Sequence, residues 1–164
     1  MKTEYSSIPK ELFVKLKSIS PNLSNYYPCK VTLRNGQTFD CVYIVELKTY
    51  IRTQGQHPDE KKGNNFLSID DVVDIEESPS RLPSHITNKI YKSGETGMGY
   101  TISTFIFKDG SKEAFINAHD FIDYPLGKNK DDIIDVLPHQ GQNDPNLKNG
   151  PSFYYCIYSG VSKN

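Results

Sequence analysis

The fold of this chain is decided by a hydrophobic and acidic stretch that occurs twice: Asp70–Ile75 has the sequence DDVVDI and Asp131–Val136 has the sequence DDIIDV. The two stretches match position by position, with valine and isoleucine exchanged. Each follows a hairpin turn signal, Asn-Gly at 35–36 and Asp-Gly at 109–110. The turns are 74 residues apart and the acidic stretches 61 apart, so the first copy carries 13 additional residues. This internal similarity predicts two related β-units.

The two predicted units comprise residues 29–79 and 100–138. Each is small for an independent fold, because units of roughly 40–60 residues bury little apolar surface. We therefore expect them to pack together as a single compact domain spanning residues 1–164. The 13 additional residues fall within 52–65, a polar stretch that we interpret as a long loop.

The register of the first hairpin follows from its apolar pattern. A two-residue loop would place Val31 opposite Asp40, whereas a three-residue loop with Gly36 in the left-handed conformation places Val31 opposite Phe39. We prefer the second register because it gathers five apolar side chains on one face. These are Val31, Leu33, Phe39, Cys41 and Tyr43.

The same register sets Cys29 opposite Cys41, close enough for a disulfide under oxidising conditions. Whether that bond can form is left open. We favour two buried thiols, because the three cysteines, Cys156 being the third, include no CxxC spacing and suit a reducing compartment.

Two short helices are predicted. Apolar residues recur at helical spacing over Pro9–Ile19, and Ser20-Pro21 ends the run. A connecting helix is expected over residues 83–92, where Ile86 and Ile90 lie four apart.

The remaining segments favour strands. Tyr100–Phe107 and Lys112–Ile116 flank the second turn, and the apolar character of both faces of the first predicts a central position. The aromatic segment Phe153–Tyr158 is expected to dock into a sheet as a further strand.

Composition excludes several classes of protein. The 164 residues contain 19 Lys+Arg, 20 Asp+Glu and 4 His, giving a net charge of −1, which disfavours a strongly basic nucleic-acid binder. No apolar run approaches the roughly 18 residues needed to span a membrane. Because the first residues also lack the apolar segment of a secretory signal, we expect a cytoplasmic protein.

The hairpin with an Asn-Gly or Asp-Gly turn, followed by a short acidic strand, resembles the core of SH3-like and Sm-like barrels. The resemblance covers residues 28–79 and, more loosely, 100–138. Residues 77–83 and 94–100 are also similar to segments of an uncharacterised bacterial protein family. The resemblance implies two SH3-like units, from a class of domains that bind peptides, proteins or RNA. Together with the two short helices, we expect a mainly β fold in which the two units pack as one domain.

The acidic strands are the candidate partner-binding surface. Residues 66–79 contain five carboxylates and no lysine or arginine. Strand alternation puts Asp71, Val73 and Ile75 on one face and Val72 and Asp74 on the other, which splits the carboxylates and disfavours a metal site. A solvated strand edge is the plainest interpretation, and binding of a basic protein is the functional one. The predicted binding residues are Asp70, Asp71, Asp74, Glu76, Glu77, Asp131, Asp132 and Asp135.

Other candidate sites are weaker. His119 and Asp123 could share a metal if their segment were helical, and a cysteine could meet a histidine after folding. The remaining histidines, His57, His85 and His139, are scattered along the chain. No catalytic signature flanks any of these residues, so no catalytic residue, metal or cofactor is predicted. The glycines at 94, 97 and 99 follow a helix instead of preceding one, which fits a helix cap and a turn better than a phosphate loop.

Residues 1–36 carry a local charge of +4 and the chain has 11 Tyr and 8 Phe, features that could serve single-stranded RNA. The basic residues are concentrated on one helix and are not interleaved with aromatic ones, so nucleic-acid binding is disfavoured.

The sequence therefore predicts a non-enzymatic cytoplasmic module that binds a basic protein partner. An immunity-type protein that neutralises a basic toxin is one concrete version, and a regulatory interaction protein is another. The alternatives are an RNA-binding SH3-like or Sm-like protein and a small metal-dependent hydrolase. The oligomeric state and the identity of the partner are not predicted.

Overall fold

The computed structural model describes residues 4–60, 65–93, 101–138 and 147–163. Within these residues the chain is mainly β, with nine strands in two open sheets and three α-helices. The chain folds as two compact units, the first formed by residues 1–78 with 153–164 and the second by residues 79–152. Because both sheets are open, the closed barrel that the SH3-like resemblance implies does not describe them.

The described residues of unit 1 form two α-helices and five strands, the last of which follows unit 2 in the chain. In chain order they are α1 Lys10–Lys17, β1 Tyr27–Leu33, β2 Thr38–Glu46, α2 Leu47–Gln54, β3 Phe66–Ser68, β4 Val72–Glu77 and β9 Tyr154–Tyr158. The strand order across the sheet is β3-β9-β2-β1-β4.

Helix α1 confirms the prediction for the first segment. Pro9 lies at its N-cap, where a missing N–H costs nothing, and the spacing of Leu12 and Leu16 places both in the core. Ile19, just beyond the helix, is buried in the same cluster, which α1 forms with strands β1, β2 and β4.

The first hairpin confirms the predicted register near its turn. Gly36 has φ of 90°, and Val31 lies opposite Phe39. The register shifts between Cys29 and Val31, however, so Cys29 lies opposite Val42 and the predicted pairing with Cys41 is wrong. The cause is a β-bulge, which adds a residue to one strand and changes which side chains face each other beyond it.

The bulge also changes the face on which later residues lie. Beyond it, Val42 and Ile44 join the cluster beneath α1, and Tyr43 instead contacts other aromatic rings. The expectation that Tyr43 shares a face with Val31 is therefore wrong. All three cysteines are thiols, with no disulfide between any two of them.

Strand β9 confirms that the aromatic C-terminal segment docks into a sheet. It runs parallel to β2, with Val42 opposite Tyr154, and parallel to β3 on its other side. The ring centroid of Tyr155 lies within 6.1 Å of those of Tyr26, Tyr43 and Tyr50. This strand therefore packs a tyrosine among the other aromatic rings of unit 1.

The predicted loop over residues 52–65 is only partly a loop. Helix α2 extends to Gln54, and a short 3-10 helix covers Pro58–Glu60. The α2 helix begins where the Glu46 carboxylate accepts the Lys48 N–H and ends at Gly55, whose φ is 75°. Residues 61–64 of this stretch lie outside the described residues.

Unit 2 contains one helix and four strands among its described residues. They are α3 Ser84–Ser93, β5 Ile102–Phe107, β6 Lys112–Ile116, β7 Ile133–Pro138 and β8 Lys148–Asn149. The strand order is β7-β5-β6-β8, so β5 is central as predicted. Helix α3 confirms the connecting helix, and its Ile86 and Ile90 pack against Phe105 and Phe115 in the core of the unit.

Candidate partner-binding surface

The acidic strands lie at the ends of their sheets. Among the strands that the structure describes, β4 is last in the order of the unit 1 sheet and β7 is last in that of unit 2. A 3-10 turn precedes each of them, Ile69–Asp71 before β4 and Lys130–Asp132 before β7. All eight predicted carboxylates therefore lie on an edge strand or on the turn that leads into it.

A bulge in β4 changes the predicted distribution of its side chains. Leu33 lies opposite Val72 and Thr32 opposite Asp74, which makes Val73 the extra residue. Val72 and Ile75 are consequently both buried, while Val73 is exposed. The expectation that Ile75 shares a face with Val73 and Asp71 is wrong, because it assumed an unbroken alternation.

Strand β7 has the same bulge. Phe107 lies opposite Ile133 and Ile106 opposite Asp135, so Ile134 is the extra residue. Ile133 and Val136 are buried and Ile134 is exposed. The two acidic strands thus share one burial pattern along their six residues.

Asp74 holds helix α1 to the edge of the unit 1 sheet. Its carboxylate forms an ion pair with the Lys15 ammonium and accepts the backbone N–H of Ile75 at 2.9 Å. These two contacts, that with Lys15 foremost, lower the pKa of Asp74 below its usual range.

Asp135 occupies the same position in unit 2. It accepts a hydrogen bond from the Lys89 ammonium at 2.6 Å and from the Val136 N–H at 2.8 Å. The Lys89 contact is the main reason why the pKa of Asp135 lies below its usual range. Asp74 and Asp135 therefore have structural contacts within their own units.

Two more of the predicted residues are engaged locally. Asp132 caps the 3-10 turn before β7, because its Oδ2 accepts the Asn129 N–H at 2.8 Å. The Asp70 carboxylate accepts the Ser6 hydroxyl proton at 2.9 Å, in a contact that is open to solvent.

Four carboxylates of β4 and its preceding turn define what we call the unit 1 acidic surface. They are Asp70, Asp71, Glu76 and Glu77, all of which are exposed. Next to this surface, a shallow open groove runs between the end of α1 and β4, with Lys15 and Ile19 on one side and residues 74–77 on the other. In unit 2, Asp131 and Asp132 precede β7 and Asp135 is half-buried.

Three basic residues of the N-terminal segment form contacts within unit 1. The Lys17 ammonium donates to the Tyr27 hydroxyl at 2.8 Å and lies 5.2 Å from the centre of the Phe13 ring. Arg34 donates to the carbonyl of Asp70 at 3.0 Å, and Lys15 pairs with Asp74. Of these contacts, only the ion pair of Lys15 with Asp74 neutralises a positive charge, so Lys17 and Arg34 keep theirs.

The histidine candidates that the structure describes are not gathered into a metal site. In the described part of the chain, no group of three or more His, Cys, Asp or Glu side chains is arranged to hold a metal ion. The segment of His119 and Asp123 is not helical, so the condition for their shared metal site is not met. His139 and the glycines at 94, 97 and 99 lie outside the described residues.

Cys156 offers little nucleophilic chemistry. Burial raises the pKa of its thiol to about 12, with smaller effects from Asp70 and Asp71. At neutral pH this thiol is protonated, and a protonated thiol is a poor nucleophile.

One cluster was not predicted. His57 is buried, and its Nδ1 accepts the Asp59 N–H at 3.2 Å, while the Tyr5 hydroxyl donates to Asp59 Oδ1 at 3.2 Å. Burial, followed by the Asp59 charge, raises the pKa of Tyr5 to about 12. Nothing in the local sequence brings residue 5 to residue 59, so only the fold reveals this contact.

The Lys–Asp pairs were also missed, although a signal for them exists. Lys15 and Lys89 are 74 residues apart, the same separation as that of the two hairpin turns. Asp74 and Asp135 are 61 apart, the separation of the acidic stretches. Extending the comparison of the two similar segments beyond the acidic strands would have shown that a lysine and an aspartate recur at these separations.

No protein-family model, curated protein or solved structure matches the chain. Among the described residues, no helix has both the length and the apolar character that crossing a membrane requires.

Proposed function

We propose that this chain is a non-enzymatic module that binds a basic protein partner through the unit 1 acidic surface. The observation that carries the proposal is the placement of Asp70, Asp71, Glu76 and Glu77 together on one edge strand and its preceding turn. No lysine or arginine interrupts residues 66–79. An immunity-type protein against a basic toxin is one concrete version, and a regulatory interaction protein is another.

Electrostatics would act locally in such a complex. The net charge of the whole chain is only −1, so attraction comes from this surface and not from the molecule as a whole. At about 0.1 M salt, charges more than about 10 Å apart are largely screened. Binding should therefore be fast at low salt and weaken as salt is added.

We also propose that the two units are copies of one duplicated element, within the cytoplasmic single-domain protein expected from the sequence. Positions 74 residues apart have matching roles: Leu12 and Ile86 are buried on α1 and α3, and Gly36 and Gly110 have φ of 90° and 85°. The pairing of Val31 with Phe39 corresponds to that of Phe105 with Glu113. These equivalences support a common ancestry of the two units. They do not require that either sheet close into a barrel.

Binding can be tested by affinity capture with the full chain at low salt, followed by kinetic measurement on the purified partner. The surface variant carries Asp71→Asn, Glu76→Gln and Glu77→Gln. Its matched control carries three neutralised carboxylates elsewhere in unit 1, at Glu4, Glu11 and Glu60, which are also exposed. Both variants change the net charge equally.

We expect wild type and the control to retain one dominant basic protein, and the surface variant to associate with it about tenfold more slowly at low salt. A variant that binds as fast as the control would contradict the assignment of the surface. Recovery of chaperones and ribosomes alone would contradict the proposed class of function.

A further inference from the structure

Backbone groups of β4 alternate between those that face β1 and those that face the outer edge of the sheet. Leu33 donates its N–H to Gln37 in the hairpin, whereas Arg34 donates to the carbonyl of Asp71. Ser78 in turn donates to the carbonyl of Pro28 in β1. Since antiparallel pairing alternates along a strand, the backbone groups of Asp74, Glu76 and Ser78 point toward β1. The backbone groups of Ile75 and Glu77 therefore point away from the sheet.

The outward N–H of Ile75 is not left open. It donates to Oδ1 of Asp74 at 2.9 Å, the same oxygen that pairs with the Lys15 ammonium. A side-chain carboxylate thus occupies the place where a carbonyl of an additional strand would bind. The ammonium of α1 holds that carboxylate in position.

The edge of β7 repeats this arrangement. Lys108 donates its N–H to the carbonyl of Asp132, so alternation along β5 turns Ile106 toward Asp135 and leaves Val136 pointing outward. The Val136 N–H donates to Asp135 Oδ1 at 2.8 Å, and Lys89 holds that carboxylate at 2.6 Å. The same closure on two separate edges indicates that it is a device of the fold and not an accident of one side chain.

We propose that the Lys15–Asp74 and Lys89–Asp135 pairs are edge latches, which close the outer edges of β4 and β7 against strand addition. With a latch removed, the edge pairs with the same edge of a second copy of this chain. Two identical strand edges can pair antiparallel to each other about a two-fold axis. We therefore expect a second copy of this chain to be the partner of an open edge. Because Glu76 and Glu77 are acidic in both copies, their repulsion opposes this pairing until salt screens it.

The salt dependence separates this association from the proposed partner binding. Association between two latch-free edges increases with salt, whereas capture of a basic partner decreases with it. The inference does not depend on the proposed function, since it concerns how two strand edges are closed and not which partner the acidic surface binds.

Amide hydrogen exchange of the full chain tests the latch directly. In Asp74→Ala we expect the Ile75 amide to exchange about tenfold faster than in wild type, the loss expected for one hydrogen bond of about 1.4 kcal/mol. Glu76→Ala is the matched control. It removes the same charge from the same strand, but the carboxylate that accepts the Ile75 N–H belongs to Asp74 and stays in place. The Val136 amide should be unchanged in both variants and should respond only to Asp135→Ala.

Sedimentation across a salt series tests the consequence. Asp74→Ala should form dimers above about 0.5 M salt, where screening is short-ranged, while wild type and Glu76→Ala remain monomeric under the same conditions. Asp74→Asn, which keeps the side-chain oxygen, should restore most of the protection of Ile75 and so separates loss of the latch from misfolding. Equal exchange of Ile75 in Asp74→Ala and Glu76→Ala would overturn the latch, and a monomeric Asp74→Ala at every salt concentration would overturn the role of the second copy.

Discussion

Removal of strand β9 should unfold unit 1 and leave unit 2 folded. A chain that stops after Ser152 loses the parallel partner of both β2 and β3. It also loses three large side chains that are at most 9% exposed, Tyr155, Ile157 and Tyr158. At about 1.5–3 kcal/mol for each fully buried side chain, the loss is about 5–9 kcal/mol. That is comparable with the whole stability of a small domain, about 5–15 kcal/mol.

Unit 2 should be unaffected by the same truncation, because all of its described elements lie between Ser84 and Asn149. Amide exchange read residue by residue is the appropriate assay. Amides of β1 and β2 should lose protection, and those of β5 and β7 should keep it. A control chain that stops after Ser162 retains the bridge between Ile8 and Val161 and should behave as wild type.

Two results would refute this reasoning. If β1 and β2 stay protected in the chain that ends at Ser152, β9 contributes far less than its burial indicates. If β5 and β7 lose protection together with unit 1, the two units are not separately stable and the boundary between Ser78 and Pro79 has no thermodynamic meaning.

Two further predictions concern the turns and the acidic edges. Gly36→Ala and Gly110→Ala should each lower the free energy of unfolding by about 1–2 kcal/mol in urea titrations, because both residues have positive φ and an added Cβ would meet no other atom, so the cost is conformational. Because the pKa values of Asp74 and Asp135 are lowered by folding, the stability that these carboxylates provide is present above about pH 4 and is lost as the pH falls through their folded values. Unfolding followed from pH 7 to pH 2 should therefore show a shallower acid loss in the Asp74→Asn, Asp135→Asn double variant, and an unchanged slope would contradict this assignment.

Most of the helices and strands were predicted from short sequence patterns. The spacing of Leu12 and Leu16 predicts α1, and that of Ile86 and Ile90 predicts α3, because a helix brings residues four apart to one face. Asn-Gly and Asp-Gly identify both hairpins because glycine tolerates the left-handed conformation that these turns require. Such signals are contained within a few neighbouring residues.

The bulges could not be predicted in the same way. Alternation in β4 is a two-residue period, and one extra residue at Val73 reverses the face of everything that follows. Helix α2 was missed because its residues are mostly polar and only Tyr50 is buried. Its ends were nevertheless marked, by Glu46 as the N-terminal cap and by Gly55 at the C-terminus.

The positions of the acidic residues were predicted more closely than their contacts. The sequence shows directly that β4 and its preceding turn are acidic. That acidic composition in turn suggests that the strand lies at the edge of its sheet. Asp74 has a structural contact, whereas Glu76 faces solvent. This difference arises because Asp74 pairs with Lys15, which lies 59 residues away along the chain. A single sequence contains no local signal for such a contact.

The order of elements in unit 1 has a consequence for biosynthesis. Residues 79–152 are inserted between β4 and β9, so the ribosome makes an entire second unit before the strand that fills the gap between β2 and β3 exists. At about 5–20 residues per second, this delay lasts roughly 4–15 seconds. During that interval, as in the chain that ends at Ser152, we expect unit 1 to stay unfolded, so the unit that begins first is the one that matures last.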